Sequence, residues 1–236
     1  VTKIAINTFI TTKISFANML AELCERIPGG NVDVVTHAVG TDSRIGEKYL
    51  KGGMSYGGPC FPRDNKALSR FATLVGTQAP LAEVTDSVNR SQTERMTSIV
   101  RKKLGDLSGK TIAILGLTYK PNTNIVEESG SVNLAASLLD AGAEVSLYDP
   151  SGVRPLEGSG VGSVRYASSA GDCIQGTDLC VLATPWPEFE RLTATDFRTM
   201  KRQLVLDCWR LLPGLNGFED IEYLAIGHEP QIAGRD

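Results

Sequence analysis

Apolar positions recur at helical spacing through the first hundred residues and then give way to short, almost unbroken runs. Ile4, Ala5, Thr8, Thr12, Phe16, Met19, Leu20 and Leu23 fall mostly three or four apart, which predicts a helix ended by Pro28-Gly29-Gly30. Val32 to Val39 predicts a second short helix, residues 52–58 a glycine-rich loop, and Asp64 to Val75 a third helix. Leu81 to Leu104 carries Val84, Val88, Met96, Ile99 and Val100 without an internal Gly or Pro. One long helix is expected there, with Arg101, Lys102 and Lys103 suited to its C-terminal end. After residues 105–110 the period changes. Thr111 to Leu117 is almost wholly apolar and ended by glycine, the pattern of a buried parallel strand. Val132 to Ala141 predicts a helix stopped at Gly142, and further strands are expected at Glu144–Tyr148, Cys180–Ala183, Leu204–Asp207 and Tyr223–Ile226. The expected fold class is α/β: a mostly helical domain, residues 1–104, joined by the long helix to a doubly wound parallel-sheet domain, residues 105–236.

Composition adds exclusions. The 236 residues are 42% hydrophobic and 22% charged, as in a soluble globular chain. A net charge of −3 offers no footprint for nucleic acid or an anionic membrane, and no apolar run reaches the length of a membrane span or reads as a signal peptide. Five widely spaced cysteines without a CxxC pair predict free thiols, no zinc site and a cytoplasmic location. With His37 and His228 as the only histidines, histidine-dependent catalysis has few candidates.

Candidate chemistry centres on Gly57-Gly58-Pro59-Cys60-Phe61-Pro62-Arg63-Asp64. A cysteine in a glycine-rich bend, close to the start of a helix, is placed as a nucleophile whose negative charge the helix terminus favours. Its plain alternative is a small buried hydrophobe. Lys3 and Asn7, four apart on the first helix, share a face and suit an oxyanion, though such a pair also suits a solvated surface. Asp42-Ser43-Arg44 offers an arginine for sugar hydroxyls or phosphate, or else a surface ion pair. In a doubly wound sheet, ligands bind at the carboxyl ends of the strands, which points to the loops after Leu117, Ala183 and Asp207. Tyr119-Lys120 lies in the first of these and Thr184-Pro185-Trp186-Pro187-Glu188-Phe189 follows the second; none holds GxGxxG.

The order of these motifs resembles the UDP-glucose/GDP-mannose dehydrogenase family of nucleotide-sugar 6-dehydrogenases. Lys3-x-x-x-Asn7, Asp42-x-Arg44-Ile45-Gly46, Gly57-Gly58-x-Cys60-Phe61-Pro62-x-Asp64, Leu115-Gly116-Leu117-x-Tyr119-Lys120-Pro121-Asn122-Thr123, Tyr148-Asp149-Pro150 and Thr184-x-Trp186-x-Glu188-Phe189 match in sequence order. The resemblance implies a central helical domain and a C-terminal Rossmann-like domain that binds the nucleotide sugar. It also implies an N-terminal NAD-binding domain that this chain does not contain.

For the chemistry, the resemblance implies NAD-dependent oxidation of a nucleotide sugar, UDP-glucose first, at C6 to the uronic acid used in polysaccharide biosynthesis. Cys60 would form a thiohemiacetal and then a thioester, Lys3 and Asn7 would stabilise the oxyanion, and Asp64 would assist water. Arg44, Tyr49, Lys51, Gly52, Gly53, Ser55, Tyr56, Gly57, Tyr119 and Lys120 would bind the substrate, with Cys60 and Arg63 also facing NAD. Arg44 would act in a neighbouring subunit's site of a homodimer built on the helix 81–104. The fragment by itself would be inactive.

Four departures stand out: Arg63 where the family has Lys, Pro59 where a small residue is common, Glu127 where an NAD-contacting Arg is common, and Asp207-Cys208-Trp209-Arg210 in place of Asp-x-Arg-Asn. A nucleotide-sugar-binding or dimerisation module without turnover is the alternative from another class, and a cysteine hydrolase a third.

Overall fold

The computed structural model describes residues 1–158, 160 and 162–229, so the last stretch of the expected second domain lies outside the described residues. Four helices come first: α1 (Thr2–Cys24), α2 (Val32–Thr41), α3 (Phe61–Leu74) and α4 (Pro80–Leu104). Asn31 caps α2, its side-chain oxygen accepting from the amides of Asp33 and Val34. Helix α3 starts earlier than its apolar pattern suggests because Pro62 fits the first turn, where a missing N–H costs nothing.

The rest alternates: β1 (Thr111–Leu115), α5 (Gly130–Asp140), β2 (Glu144–Tyr148), β3 (Ser163–Tyr166), α6 (Ala170–Ile174), β4 (Leu179–Leu182), α7 (Ala194–Phe197), β5 (Leu204–Asp207) and β6 (Glu222–Ala225). The six strands pair in parallel in the order β3-β2-β1-β4-β5-β6, reversing direction of growth between β1 and β4. That is the doubly wound order with its switch point beside β1. Ile112 to Leu115, Leu179 to Leu182 and Leu204 to Leu206 are fully buried, which is why they read as unbroken apolar runs. On one face Ala113, Leu115, Cys180, Leu182 and Val205 pack with Cys173, Ile174, Phe189 and Phe197.

The chain forms two compact units: Val1–Gln92 together with the described residues from Ile226 onward, and Thr93–Ala225. The division falls within α4. The C-terminal return is tied into the helical unit by main-chain bonds: the Val32 amide donates to the Gly227 carbonyl, and Asn31 pairs antiparallel with His228. The Gly227 amide donates to Glu25 Oε1, and the Gly29 amide to Glu229 Oε2.

In α1 the buried face differs from the one the apolar spacing suggests. Thr8, Thr11, Ser15, Ala17, Asn18, Ala21 and Cys24 are buried, whereas Ile6, Phe9, Phe16, Met19 and Leu23 are exposed. Small side chains let the chain approach α1 closely. A Cβ at Gly52 would meet the Ala17 carbonyl oxygen at 2.8 Å.

Candidate functional site

The helical unit brings three of the four expected catalytic residues into direct contact. Lys3, Asn7 and Thr11 succeed one another by one turn on α1, so they line one face. Asp64 and Asn65 occupy the first turn of α3 and lie against that face. Lys3 Nζ and Asn7 Nδ2 both donate to Asp64 Oδ2, the latter at 2.6 Å, and Asn65 exchanges hydrogen bonds with Thr11 Oγ1 at 3.1–3.2 Å. Burial pushes the Asp64 carboxyl up, but the bonds from Lys3 and Asn7 and the charges of Lys3 and Arg63 outweigh it and hold it below the usual carboxylate value. Asp64 is therefore a buried, ionised carboxylate carrying one ammonium and one amide.

Cys60 is the N-terminal flanking residue of α3, and its carbonyl accepts from the Asp64 amide at 2.8 Å. All five cysteines are free; Cys60 is half-buried, while Cys24, Cys173, Cys180 and Cys208 are buried. Burial pushes the Cys173 thiol up to about 12 and the Cys180 thiol well above its ordinary value. Both are inert hydrophobes of the sheet core.

The segment before Cys60 has no regular structure, yet Gly52, Gly53, Met54, Tyr56, Gly57 and Gly58 are buried. Buried backbone needs partners, and two side-chain amides supply them. Asn18 of α1 accepts from the Gly53 amide at 2.8 Å and donates to the Met54 carbonyl at 3.3 Å. Asn89 of α4 accepts from the Tyr56 amide and donates to the Tyr56 carbonyl, each at 2.8 Å. Asn65 donates to the Tyr56 hydroxyl at 2.8 Å, and the Tyr56 ring stands edge-on to Phe61 at 6.1 Å. Burial and the charge of Asp86 push the Tyr56 hydroxyl up to about 12, so it stays protonated. Asn18, Asn65 and Asn89 belong to none of the sequence motifs; their visible trace is a polar residue set at helical spacing among inward positions, as in Asn7, Thr11 and Asn18.

The remaining expected site residues are spread more widely. Arg44 is exposed and committed to Asp42, its Nε lying 2.9 Å and 3.2 Å from the two carboxylate oxygens. Tyr49 is exposed in a left-handed conformation (φ 66°), Lys51 is exposed and Ser55 is half-buried. Arg63 is exposed beside Asp64 in the first turn of α3.

In the sheet unit, Lys120 is exposed with its Nζ 5.4 Å from the centre of the Tyr119 ring. Gly116 (φ 93°) must be glycine because a Cβ there would lie 2.8 Å from the Thr184 amide nitrogen. The loop after β1 does not fit a dinucleotide diphosphate. Its amides at Leu117 and Thr118 donate to Asp149 Oδ2 at 2.6 and 3.0 Å, and Trp186 Nε1 reaches the same oxygen at 3.2 Å. An internal carboxylate holds the position a phosphate takes in dinucleotide folds. Thr184 and Trp186 serve this loop structurally: Thr184 Oγ1 donates to the Thr118 carbonyl at 2.7 Å. The loop after β5 is likewise closed internally, Asp207 accepting from Trp209, Leu212 and the Tyr223 hydroxyl. Among the described residues no helix is long and apolar enough to cross a membrane.

Residues 1–91 match the central-domain model of the UDP-glucose/GDP-mannose dehydrogenase family, and residues 113–214 match its UDP-binding-domain model. The chain is 35% identical over 233 residues to the UDP-glucose 6-dehydrogenase TuaD of Bacillus subtilis, covering 99% of this chain and 49% of the relative. It is 37% identical over 217 residues to the UDP-glucose 6-dehydrogenase AglM of Haloferax volcanii, covering 92% and 50%. A solved UDP-glucose dehydrogenase from Pyrobaculum islandicum superposes with a TM-score of 0.84 at 31% identity, over 96% of this chain and 50% of that one. A dehydrogenase structure from Methanosarcina mazei, at 23% identity and TM-score 0.85 over 100% of this chain and 52% of that one, shares the fold. The chain spans about half the length of the curated relatives it matches. The chain belongs to the UDP-glucose/GDP-mannose dehydrogenase family, of which it carries the central and UDP-binding domains.

Proposed function

We propose that this chain supplies the nucleophile and the sugar-nucleotide site of an NAD-dependent nucleotide-sugar 6-dehydrogenase, with UDP-glucose as substrate and the uronic acid as product. The observation that supports the reading most is the Lys3–Asn7–Asp64 cluster at the start of the helix that Cys60 flanks. The sheet unit's first loop is filled by Asp149, so the dinucleotide belongs to a further domain, with Cys60 and Arg63 facing it; bound there, one dinucleotide would take a hydride as the C6 alcohol gives up its proton to solvent and becomes the aldehyde, and a second would take a hydride from the thiohemiacetal carbon to leave the thioester.

The residues of this chain do the rest. Cys60 Sγ attacks the C6 aldehyde, and the carbonyl electrons move to oxygen as the S–C bond forms. Lys3 and Asn7 each retain N–H donors beyond those given to Asp64, and these hold the oxyanion. Once C6 is at the thioester level, water attacks the acyl carbon, Asp64 takes its proton, and the S–C bond breaks to return the thiolate. The glycine-rich segment 51–57 cradles the sugar nucleotide, with Tyr49 beside it and Tyr119 and Lys120 as further substrate contacts. A homodimer through α4 belongs to the same reading, with Arg44 released from Asp42 to act in the neighbouring site. Leu81 and Val84, exposed on α4, are side chains that such an interface would cover.

The test uses protein that carries a dinucleotide-binding domain together with this chain, supplied with NAD and UDP-glucose while NADH absorbance is followed. NADH is expected from the wild type and none above background from Cys60→Ser. Absence of NADH with every nucleotide sugar would remove the dehydrogenase reading, and full turnover by Cys60→Ser would remove the covalent route.

A further inference from the structure

We propose that Tyr56 is a positioning residue, held by Asn89, that fixes Cys60 relative to the glycine-rich segment, rather than a side chain that touches the sugar. This rests on the reading of Cys60 as the nucleophile. Tyr56 is 6% exposed, and its amide, carbonyl and hydroxyl are all hydrogen-bonded inside the helical unit. A tyrosine so enclosed has little left to offer a ligand.

Its connections run in two directions. Asn89 grips its main chain with both ends of one carboxamide, as a neighbouring strand would grip a residue in an antiparallel pair. Asn18 grips Gly53 and Met54 in the same way, so residues 53–56 are fixed at two points by side chains from two different helices. Toward the nucleophile, the Tyr56 ring meets Phe61 edge-on, with the planes at 86°. Phe61 is the first residue of α3 and directly follows Cys60. Displacing Tyr56 thus moves the floor of the cradle and the base of the nucleophile together, and the two lose their register. Asn65, adjacent to Asp64, holds the hydroxyl and adds the oxyanion cluster to the same frame.

The side chains make separable predictions. Asn89→Asp keeps the acceptor for the Tyr56 amide and loses the donor to its carbonyl; Asn89→Ala loses both. Tyr56→Phe keeps the ring against Phe61. In the chain as it stands, Cys60 alkylation by iodoacetamide is expected to change by about tenfold in Asn89→Ala, by less in Asn89→Asp, and hardly at all in Tyr56→Phe, since small displacements of a reacting group carry rate effects of this order or larger. Circular dichroism establishes that each variant is folded. In the enzyme that also carries the dinucleotide domain, Asn89→Asp is expected to lower kcat by about tenfold or more with a smaller change in KM.

Unchanged Cys60 alkylation in folded Asn89→Ala and Asn89→Asp would overturn the proposal. So would a Tyr56→Phe enzyme whose KM for the nucleotide sugar rises tenfold with kcat intact, because the hydroxyl would then be a ligand contact. If the wild-type enzyme makes no NADH at all, the dehydrogenase reading fails, while the alkylation series still decides the positioning role.

Discussion

The two units differ in what dominates their interiors. In the sheet unit the largest fully buried residues are apolar, among them Phe189, Phe197, Leu115 and Leu147, and the buried carboxylates Asp149 and Asp207 lie at the ends of strands. The helical unit buries Thr11, Asn18, Asp64, Asn65, Asp86 and Asn89, while Phe9, Phe16, Met19 and Leu74 stay exposed. Apolar burial is strong but non-directional, and it tolerates shifts as long as volume is kept. A network of buried amides and hydroxyls is directional: fully satisfied it fixes geometry, partly satisfied it is costly. The interior of the sheet unit is built for stability, and that of the helical unit to hold a segment and a carboxylate in place.

Three measurements would break or sharpen that contrast. The largest effect belongs to the sheet. Leu182→Ala is expected to cost about 2–5 kcal/mol by loss of transfer energy and creation of a cavity. Both tryptophans, Trp186 and Trp209, lie in this unit, so fluorescence-monitored urea unfolding reads it alone. A loss under about 1 kcal/mol would show a core less tightly packed than its burial implies.

A smaller effect is expected from Asn65→Ala, which strips Thr11 and the Tyr56 hydroxyl of their partner: about 1–3 kcal/mol, seen by helical circular dichroism and not by tryptophan fluorescence. Equal movement of both signals would mean that the two interiors melt as one.

The smallest effect is the pH response of Asp64. Its folded carboxyl titrates below the ordinary 3.8, so its contribution is complete at neutral pH and is lost as pH falls from that value through the lower folded one. Asp64→Asn should therefore be less stable than wild type at neutral pH and converge with it in acid. Because the Lys3 side chain is 61% exposed, the difference should shrink with added salt. A gap that persists unchanged to pH 2 would assign it to packing instead.

The sheet was the more legible half for the same reason that it is the more apolar. Strands buried on both faces, such as Thr111–Leu115 and Leu204–Asp207, announce themselves as unbroken runs. The exception is β3, an edge strand whose Ser163 and Arg165 are exposed, Arg165 bonding to Asp172 and Ser146. Its apolar signal is only Val164 and Tyr166 in alternation with polar residues, too short to stand out. In the helical unit, helices were legible from period and from Gly and Pro, but the inward face of α1 was not. The large residues that define the spacing, Phe16, Met19 and Leu23, point away from the helical core, and threonine and alanine face it.

At the candidate site, Lys3, Asn7 and Asp64 were legible as motif members, and one helical turn explains why the first two meet the third. The clamps at Asn18 and Asn89 were not, because an asparagine in a helix says nothing of which distant backbone it will bind. Nothing local marks the division at Gln92–Thr93 either, since a single helix runs across it.

The return of the chain at Ile226 makes the sheet unit an insert within the helical one: it is entered after Gln92 and left at Ala225. A chimaera that exchanges the sheet for a relative's must therefore be spliced at two places. Joining halves end to end in the middle of the sequence would separate Glu25, Asn31 and Val32 from the return segment matched to them. Recombination between family members should on this ground favour cassettes bounded by both junctions over single crossovers, a bias that shuffled libraries of the family would reveal in which hybrids fold.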